Sequence, residues 1–127
     1  LPQEQWHADS IASFRIPVSD TMTYYNLYLN VRNTTDYPFQ NLYLFIDIAA
    51  PNGAIARDTF ECYLADDHGK WLGKGRGKYR DNRFTYRQNV RFGAEGEYRI
   101  TLQQAMRVEQ LKGISEIGFR VELGSNK

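Results

Sequence analysis

Residues 24 to 64 alternate between apolar and polar side chains, and this alternation constrains the fold more than any other feature. Alternate positions are apolar in two successive runs, namely Tyr25, Leu27, Leu29 and Val31, and then Leu42, Leu44, Ile46 and Ile48. A period of two is typical of a strand with one buried face. We therefore predict strands at 24–33 and 41–50, and a third at 55–64. No helical segment separates them, which favours antiparallel pairing.

Four more segments show a strand pattern. We expect a first strand that ends at Pro17 and a fifth with Phe84, Tyr86, Val90 and Phe92 on its apolar face. Two further strands are expected near the C-terminus. Their apolar positions are Tyr98, Ile100 and Leu102 in one strand, and Ile117, Phe119, Val121 and Leu123 in the last.

Seven strand segments predict an all-β fold. We expect a two-sheet antiparallel β-sandwich, jelly-roll-like in outline, because one open sheet of that size would leave an apolar face in water. A closed barrel is the alternative. The length of 127 residues suits one domain with its own core and is too short for two, so we expect a single domain over 1–127.

The segment before the last strand has features of a helix. Thr101 and Gln104 have the spacing of a capping box, and Met106 and Leu111 follow Leu102 at helical intervals. Gly113 is suited to end a helix. The sequence therefore predicts one short helix at this point.

Composition limits the classes of partner. Sixteen Lys and Arg against 15 Asp and Glu give a net charge of +1, so no overall field attracts nucleic acid. Cys62 is the single cysteine, so no internal disulfide forms, and we expect a buried, inert thiol. No apolar run approaches the roughly 20 residues of a membrane span. The chain starts at Leu1 without an initiator Met, which predicts a mature chain whose targeting segment was removed.

Residues 66 to 82 form a long, glycine-rich connection that interrupts the strand pattern. Long ordered loops are often functional. Lys74, Arg76, Lys78 and Arg80 give this segment a local positive surplus, and we predict that they dock a partner while lying in solvent. We expect Trp71 to anchor the loop by packing inward together with Leu72. The glycine spacing matches no phosphate-binding motif, and we expect no cofactor.

Asp66, Asp67 and His68 are residue types that bind metals or transfer protons. Three consecutive residues cannot all converge on one ion without ligands from elsewhere, so we expect a surface turn and no metal site. A hydrolase centred on these residues is the weakest functional alternative, because no catalytic motif accompanies them.

Several aromatic residues occupy the polar parity of the strands. Tyr24 and Tyr28 lie opposite the Leu27 face, and Tyr43 and Phe45 lie opposite the Leu44 face. If these strands are neighbours, Tyr28, Tyr43 and Phe45 form an aromatic platform that could stack on a sugar or a protein. Coverage of this face by a loop or the helix is the alternative.

The ordered motifs resemble the gliding-motility lipoprotein family GldH of the Bacteroidetes. The resemblance covers nearly the whole chain. It is carried by Tyr25-Asn26-Leu27-Tyr28, Val31-Arg32-Asn33-Thr34, Tyr37-Pro38, Asn41-Leu42-Tyr43-Leu44-Phe45, Asp58-Thr59, Gly69-Lys70-Trp71-Leu72-Gly73, Gln104-Ala105-Met106-Arg107 and Leu111-Lys112-Gly113-Ile114.

The resemblance implies a lipoprotein of the cell envelope, attached through a lipidated N-terminal Cys outside this sequence and facing the periplasm or the cell surface. It implies an accessory of a motility or secretion assembly and supplies no catalytic residues. We therefore expect a non-enzymatic protein that contacts other envelope proteins. A carbohydrate-binding module, with a glycan as ligand, is the alternative.

We predict that the domain folds without metal or cofactor, because the alternating strands supply a core and the sequence offers few metal ligands. The thermal unfolding curve should be the same with and without a chelator. A large fall of the melting temperature in chelator would contradict this and identify Asp66, Asp67 and His68 as metal ligands.

Overall fold

The computed structural model describes residues 1–124, and strands make up most of that range. A 3₁₀ turn at Pro2–Glu4 precedes nine strands within this part of the chain. The strands are β1 (Gln5–His7), β2 (Ala12–Val18), β3 (Tyr25–Thr34), β4 (Asn41–Ala49), β5 (Ile55–Tyr63), β6 (Tyr79–Val90), β7 (Gly96–Gln104), β8 (Gln110–Lys112) and β9 (Ile114–Leu123). The all-β prediction is confirmed, and the seven predicted strands correspond to β2–β7 and β9.

Two antiparallel sheets form the body of the protein. One has the order β2-β7-β4-β5 and the other the order β6-β3-β9. Their inner faces share one core, in which Phe14 of β2 lies 6.3 Å from Phe119 of β9 and Phe60 of β5 lies 5.5 Å from Tyr86 of β6, between ring centroids. Neither of these strand pairs is hydrogen-bonded within residues 1–124. This confirms a sandwich of two sheets and excludes the closed barrel.

The alternation in β3 and β4 sorts their side chains into an inner and an outer set. Leu29 and Val31 of β3 and Leu44 and Ile46 of β4 are completely or almost completely buried, while the residues between them point outward. Burying one such side chain contributes about 1.5–3 kcal/mol. The predicted parity of these strands is therefore confirmed.

A small third sheet of β1 and β8 packs against the same core and was not predicted from the sequence. Trp6 of β1 faces Leu111 of β8, and both are buried. The Trp6 indole N–H donates to the carbonyl oxygen of Ser10 at 2.9 Å. A three-residue strand is too short for periodicity to reveal, so Trp6 was missed as a core residue.

The predicted short helix between 101 and 113 is wrong. Thr101 and Gln104 continue β7, and Ala105 N–H still bonds to Tyr43 of β4. The side chain of Gln104 then supports a loop: its amide NH₂ donates to Val108 O at 2.7 Å and its carbonyl accepts from Met106 N at 2.9 Å. Pairing with β4 thus prevails over weak local helix signals.

Cys62 is buried in β5, as predicted. Burial, followed by the nearby charge of Glu61, raises the pKa of the thiol to about 12. The thiolate, which is the reactive form, is therefore disfavoured at neutral pH. Within residues 1–124 the structure has no helix with the length and apolar character needed to cross a membrane.

Gly113 joins β8 to β9 at a place where only glycine fits. Its φ is +91°, and a Cβ atom there would lie 2.6 Å from Tyr37 Cα. Its N–H donates to Glu4 O at 2.9 Å, and its carbonyl accepts from Thr34 N at 2.8 Å. One residue thus connects the N-terminal turn, the end of β3 and the start of β9.

We predict that Gly113→Ala lowers the free energy of unfolding by about 2 kcal/mol or more, because backbone strain and a steric clash add together. Gly93→Ala is the matched control, because no atom lies within 4 Å of its Cβ position and its φ is not positive. Urea denaturation of both variants measures the difference. Equal stability of the two variants would contradict the assigned role of Gly113.

Candidate functional site

The basic loop, which we define as residues 64–78 between β5 and β6, is held against the body of the protein. Isolated β-bridges join Ala65 to Trp71 and Lys74 to Asp81. Lys78 O accepts a hydrogen bond from Thr35 N at 2.8 Å, at the end of β3. The loop therefore has a defined backbone path.

Glycine allows this close approach. A Cβ atom at Gly73 would lie 2.8 Å from the carbonyl oxygen of Asp81. The ring of Trp71 is half-buried and packs against the core, in agreement with the predicted anchor. The prediction for Leu72 is wrong, because 56% of this residue is exposed. The backbone N–H of Leu72 donates to the carbonyl oxygen of Leu64 at 2.9 Å, so its backbone is held in the loop while its side chain faces solvent.

The four predicted docking cations have different surroundings. Lys78 forms an ion pair with Glu4 at 2.5 Å between Nζ and Oε1, and Arg80 donates to the carbonyl oxygens of Gly77 and Tyr79 at 2.9 and 2.8 Å. Lys74 and Arg76 are exposed and have no ion pair with any other residue of the described range. They are the two members of the set whose cationic side chains have neither an ion pair nor a hydrogen bond within the described residues.

An open cleft of about 1120 Å³ borders the basic loop. Lys74, Leu72 and Tyr63 all contribute to its lining. The cleft thus combines the unpaired charge of Lys74 with exposed apolar and aromatic surface. Aromatic side chains are enriched where proteins bind each other.

The segment Asp66, Asp67 and His68 is a turn. One carboxylate oxygen of Asp66 accepts the backbone N–H groups of His68 and Lys70, both at 2.9 Å. Asp67 accepts from the Gln40 side chain at 3.0 Å. Residues 1–124 contain no group of three or more His, Cys, Asp or Glu side chains that could hold a metal ion.

The aromatic platform predicted from Tyr28, Tyr43 and Phe45 is not formed. Tyr28 lies on β3, whereas Tyr43 and Phe45 lie on β4, and these strands belong to different sheets. The outer faces of the two sheets of a sandwich point in opposite directions. Parity indicated correctly that the three rings point outward, but it could not show which strands are neighbours.

Two of the three platform rings are covered by arginine. The Arg83 guanidinium lies 3.7 Å from the ring centroid of Tyr28, and the Arg57 guanidinium lies 5.0 Å from that of Phe45. Each arginine also binds a carboxylate, Arg83 with Glu122 at 2.8 Å and Arg57 with Asp47 at 2.7 Å. A sugar ring would have to displace these guanidinium groups before it could stack on the rings.

Tyr43 has a different environment, which could not be predicted from the alternation of a single strand. It faces Glu61 across β4 and β5, and Tyr63 lies two residues farther along β5 on the same outer face. The Asn41 side-chain amide donates to Glu61 Oε2 at 2.7 Å. The alternation of β5 placed Glu61 and Tyr63 on the outer parity, but only the β4–β5 register shows that they meet Tyr43. We call Asn41, Tyr43, Glu61 and Tyr63 the tyrosine–glutamate cluster.

Interactions inside this cluster shift the pKa values of Glu61 and of the two tyrosines. The pKa of Glu61 is lowered, chiefly by the hydrogen bond from Asn41 and further by those from Tyr43 and Tyr63. The same carboxylate raises the pKa of both tyrosines, mainly by hydrogen bonding for Tyr43 and by its charge for Tyr63. Glu61 therefore stays ionised at neutral pH beside two protonated phenols.

We predict that changing Lys74 and Arg76 to Gln leaves the melting temperature within a few degrees of wild type, because exposed charges contribute about 0–1 kcal/mol. Adding Lys78→Gln and Arg80→Gln should lower it slightly more, since contacts with Glu4 and the loop carbonyls are lost. Thermal denaturation followed by circular dichroism measures both variants. Unfolding of the Lys74/Arg76 double variant would show that these side chains are structural.

Comparison with known proteins points to one family. The family model described as GldH lipoprotein matches residues 1–121. A gliding motility lipoprotein GldH homolog of Christiangramia forsetii is 36% identical, over 96% of this chain and 80% of its own length. The gliding motility lipoprotein GldH of Flavobacterium johnsoniae is 37% identical, over 92% of this chain and 77% of its own length.

Proposed function

The chain belongs to the GldH lipoprotein family, and from this membership we propose that it serves as a lipid-anchored accessory protein of a gliding-motility assembly in the cell envelope. In this proposal it faces the periplasm or the cell surface. It acts through contacts with other envelope proteins and catalyses no reaction.

The basic loop is the observation that carries the proposed protein contacts. Its path is fixed by backbone pairing with β6, so Lys74 and Leu72 are presented at the cleft without the entropy cost of ordering a free loop. Exposed positive charge speeds encounter with an acidic partner and selects its orientation. The exposed side chain of Leu72 supplies apolar surface that a partner can bury.

The surroundings of the two candidate reactive side chains, Cys62 and Asp66, support a binding role over a catalytic one. Cys62 is buried as a thiol, and Asp66 accepts two backbone N–H groups that fix a turn. A nucleophile or general base needs access to substrate together with a pKa suited to its task. Cys62 is buried with its pKa raised, and one oxygen of Asp66 is already engaged by the turn, so neither group offers a free nucleophile or base.

Recovery of partners from the native envelope tests the proposal. The full-length, lipidated protein is cross-linked in cells and purified with its bound proteins. We predict that wild type recovers specific envelope proteins and that the Lys74→Gln/Arg76→Gln variant recovers at most about a third as much, with the loss growing less marked at high salt.

An Arg99→Gln/Arg107→Gln variant is the matched control, because it removes two exposed positive charges outside the loop. Equal recovery by both variants would remove the basic loop from the docking surface. If wild type recovers no protein but binds a glycan saturably, and Tyr43→Ala abolishes that binding, the carbohydrate-binding alternative replaces this proposal.

A further inference from the structure

We propose that the tyrosine–glutamate cluster is a receptor for one arginine side chain of a partner protein. The inference rests on the proposed function, because it takes the partner to be a protein. The partner presents a guanidinium group, which binds between Glu61 and the rings of Tyr43 and Tyr63.

Arginine already joins aromatic rings to carboxylates at four places on this protein. In each, a guanidinium lies over a ring and also forms an ion pair of 2.7–2.8 Å with an acidic side chain. The four sets are Tyr28–Arg83–Glu122, Phe45–Arg57–Asp47, Tyr79–Arg32–Asp81 and Tyr86–Arg87–Asp58. The combination is favourable because the guanidinium gains both ring and carboxylate attraction.

The tyrosine–glutamate cluster has the aromatic rings and the carboxylate of such a set but lacks the arginine. The strands of the described chain carry seven carboxylates, and six of them have an arginine within 4.0 Å, namely Asp47, Asp58, Asp81, Glu97, Glu116 and Glu122. Glu61 is the seventh, and in residues 1–124 its partners are the neutral Asn41, Tyr43 and Tyr63. It is the strand carboxylate whose charge the protein does not neutralise.

The cluster is open to a partner. Tyr43 is 39% exposed and Tyr63 is 53% exposed, so both rings can be reached from solvent. They flank Glu61, since Tyr43 is its cross-strand partner and Tyr63 follows it on the same face of β5. Cross-strand neighbours have Cβ atoms about 4.5–5.5 Å apart, which is close enough for one guanidinium to touch a ring and the carboxylate together.

A charged ligand fits this site better than a neutral one. Glu61 retains acceptor capacity beside its three donors, because a carboxylate can accept about four hydrogen bonds. Asp67 adds negative charge near Tyr63, whose pKa it also raises. A sugar hydroxyl can fill a hydrogen-bond position but leaves the charge uncompensated, whereas a guanidinium does both.

The cluster is continuous with the proposed docking surface. Tyr63 belongs to the cluster and also lines the cleft beside Lys74 and Leu72. A partner seated in the cleft can therefore place an arginine between Tyr63 and Tyr43. Tyrosine and arginine are enriched among the residues that contribute most to protein interfaces.

Titration of the isotope-labelled domain with N-acetyl-arginine amide tests the inference by NMR. We expect saturable shift changes at Tyr43, Glu61 and Tyr63. Glu61→Gln should weaken binding about fivefold or more, and Tyr63→Ala should also weaken it, whereas Tyr63→Phe should bind like wild type because the ring is kept. Dispersed amide signals show that each variant is folded.

Asp47→Asn is the matched control, because it removes an equal charge from the same sheet face at a carboxylate that already has Arg57. It should leave the affinity for the probe unchanged. The inference is overturned if the probe causes no saturable shifts, if the neutral isostere N-acetyl-citrulline amide binds equally well, or if Glu61→Gln and Asp47→Asn weaken binding to the same extent.

The probe distinguishes this inference from the proposed function. Arginine binding in solution requires no envelope partner, so it can succeed where cross-linking recovers no protein. Conversely, if partners are recovered but the probe fails to bind, the result supports the proposed protein contacts and contradicts the inference of an arginine receptor. Recovery that is lost in Glu61→Gln and kept in Asp47→Asn supports both.

Discussion

The division of each strand into a buried and an exposed face is the constraint on which the rest of the structure depends. Leu29 and Leu44 point into the space between the sheets, and their burial fixes the register of β3 and β4, because a slip of one residue would turn every apolar side chain outward. Once the register is fixed, the outer residues have determined cross-strand neighbours. The arginine–aromatic sets and the tyrosine–glutamate cluster are therefore consequences of core packing.

The sequence allowed the strands and their parity to be predicted, because both depend on local alternation. It did not allow the pairing of strands to be predicted, since two runs with the same parity can belong to different sheets. Tyr28 and Tyr43 show this limit, for both point outward but from opposite sheets. The predicted helix failed for a related reason: Gln104 has helical spacing from Thr101, but β4 provides backbone partners for the same segment.

The candidate site could be predicted only in part from the sequence, for the same reason. Lys74 and Arg76 could be recognised from their charge, because a glycine-rich segment cannot bury them together. The cluster around Glu61 could not, because Tyr43 and Glu61 are far apart in sequence and meet only through the β4–β5 register. Trp6 was missed because a strand of three residues has no detectable period.

In the proposed binding mode, Lys74 and Glu61 are two local charges of opposite sign through which this nearly neutral protein selects a partner. A net charge of +1 provides little long-range attraction, so discrimination has to come from local patches. Lys74 and Tyr63 line one cleft, and Tyr63 also borders the negative charge of Glu61. The partner that we propose therefore presents an acidic group and an arginine at the matching separation. A partner in the reverse orientation would set like charges against each other, which disfavours binding.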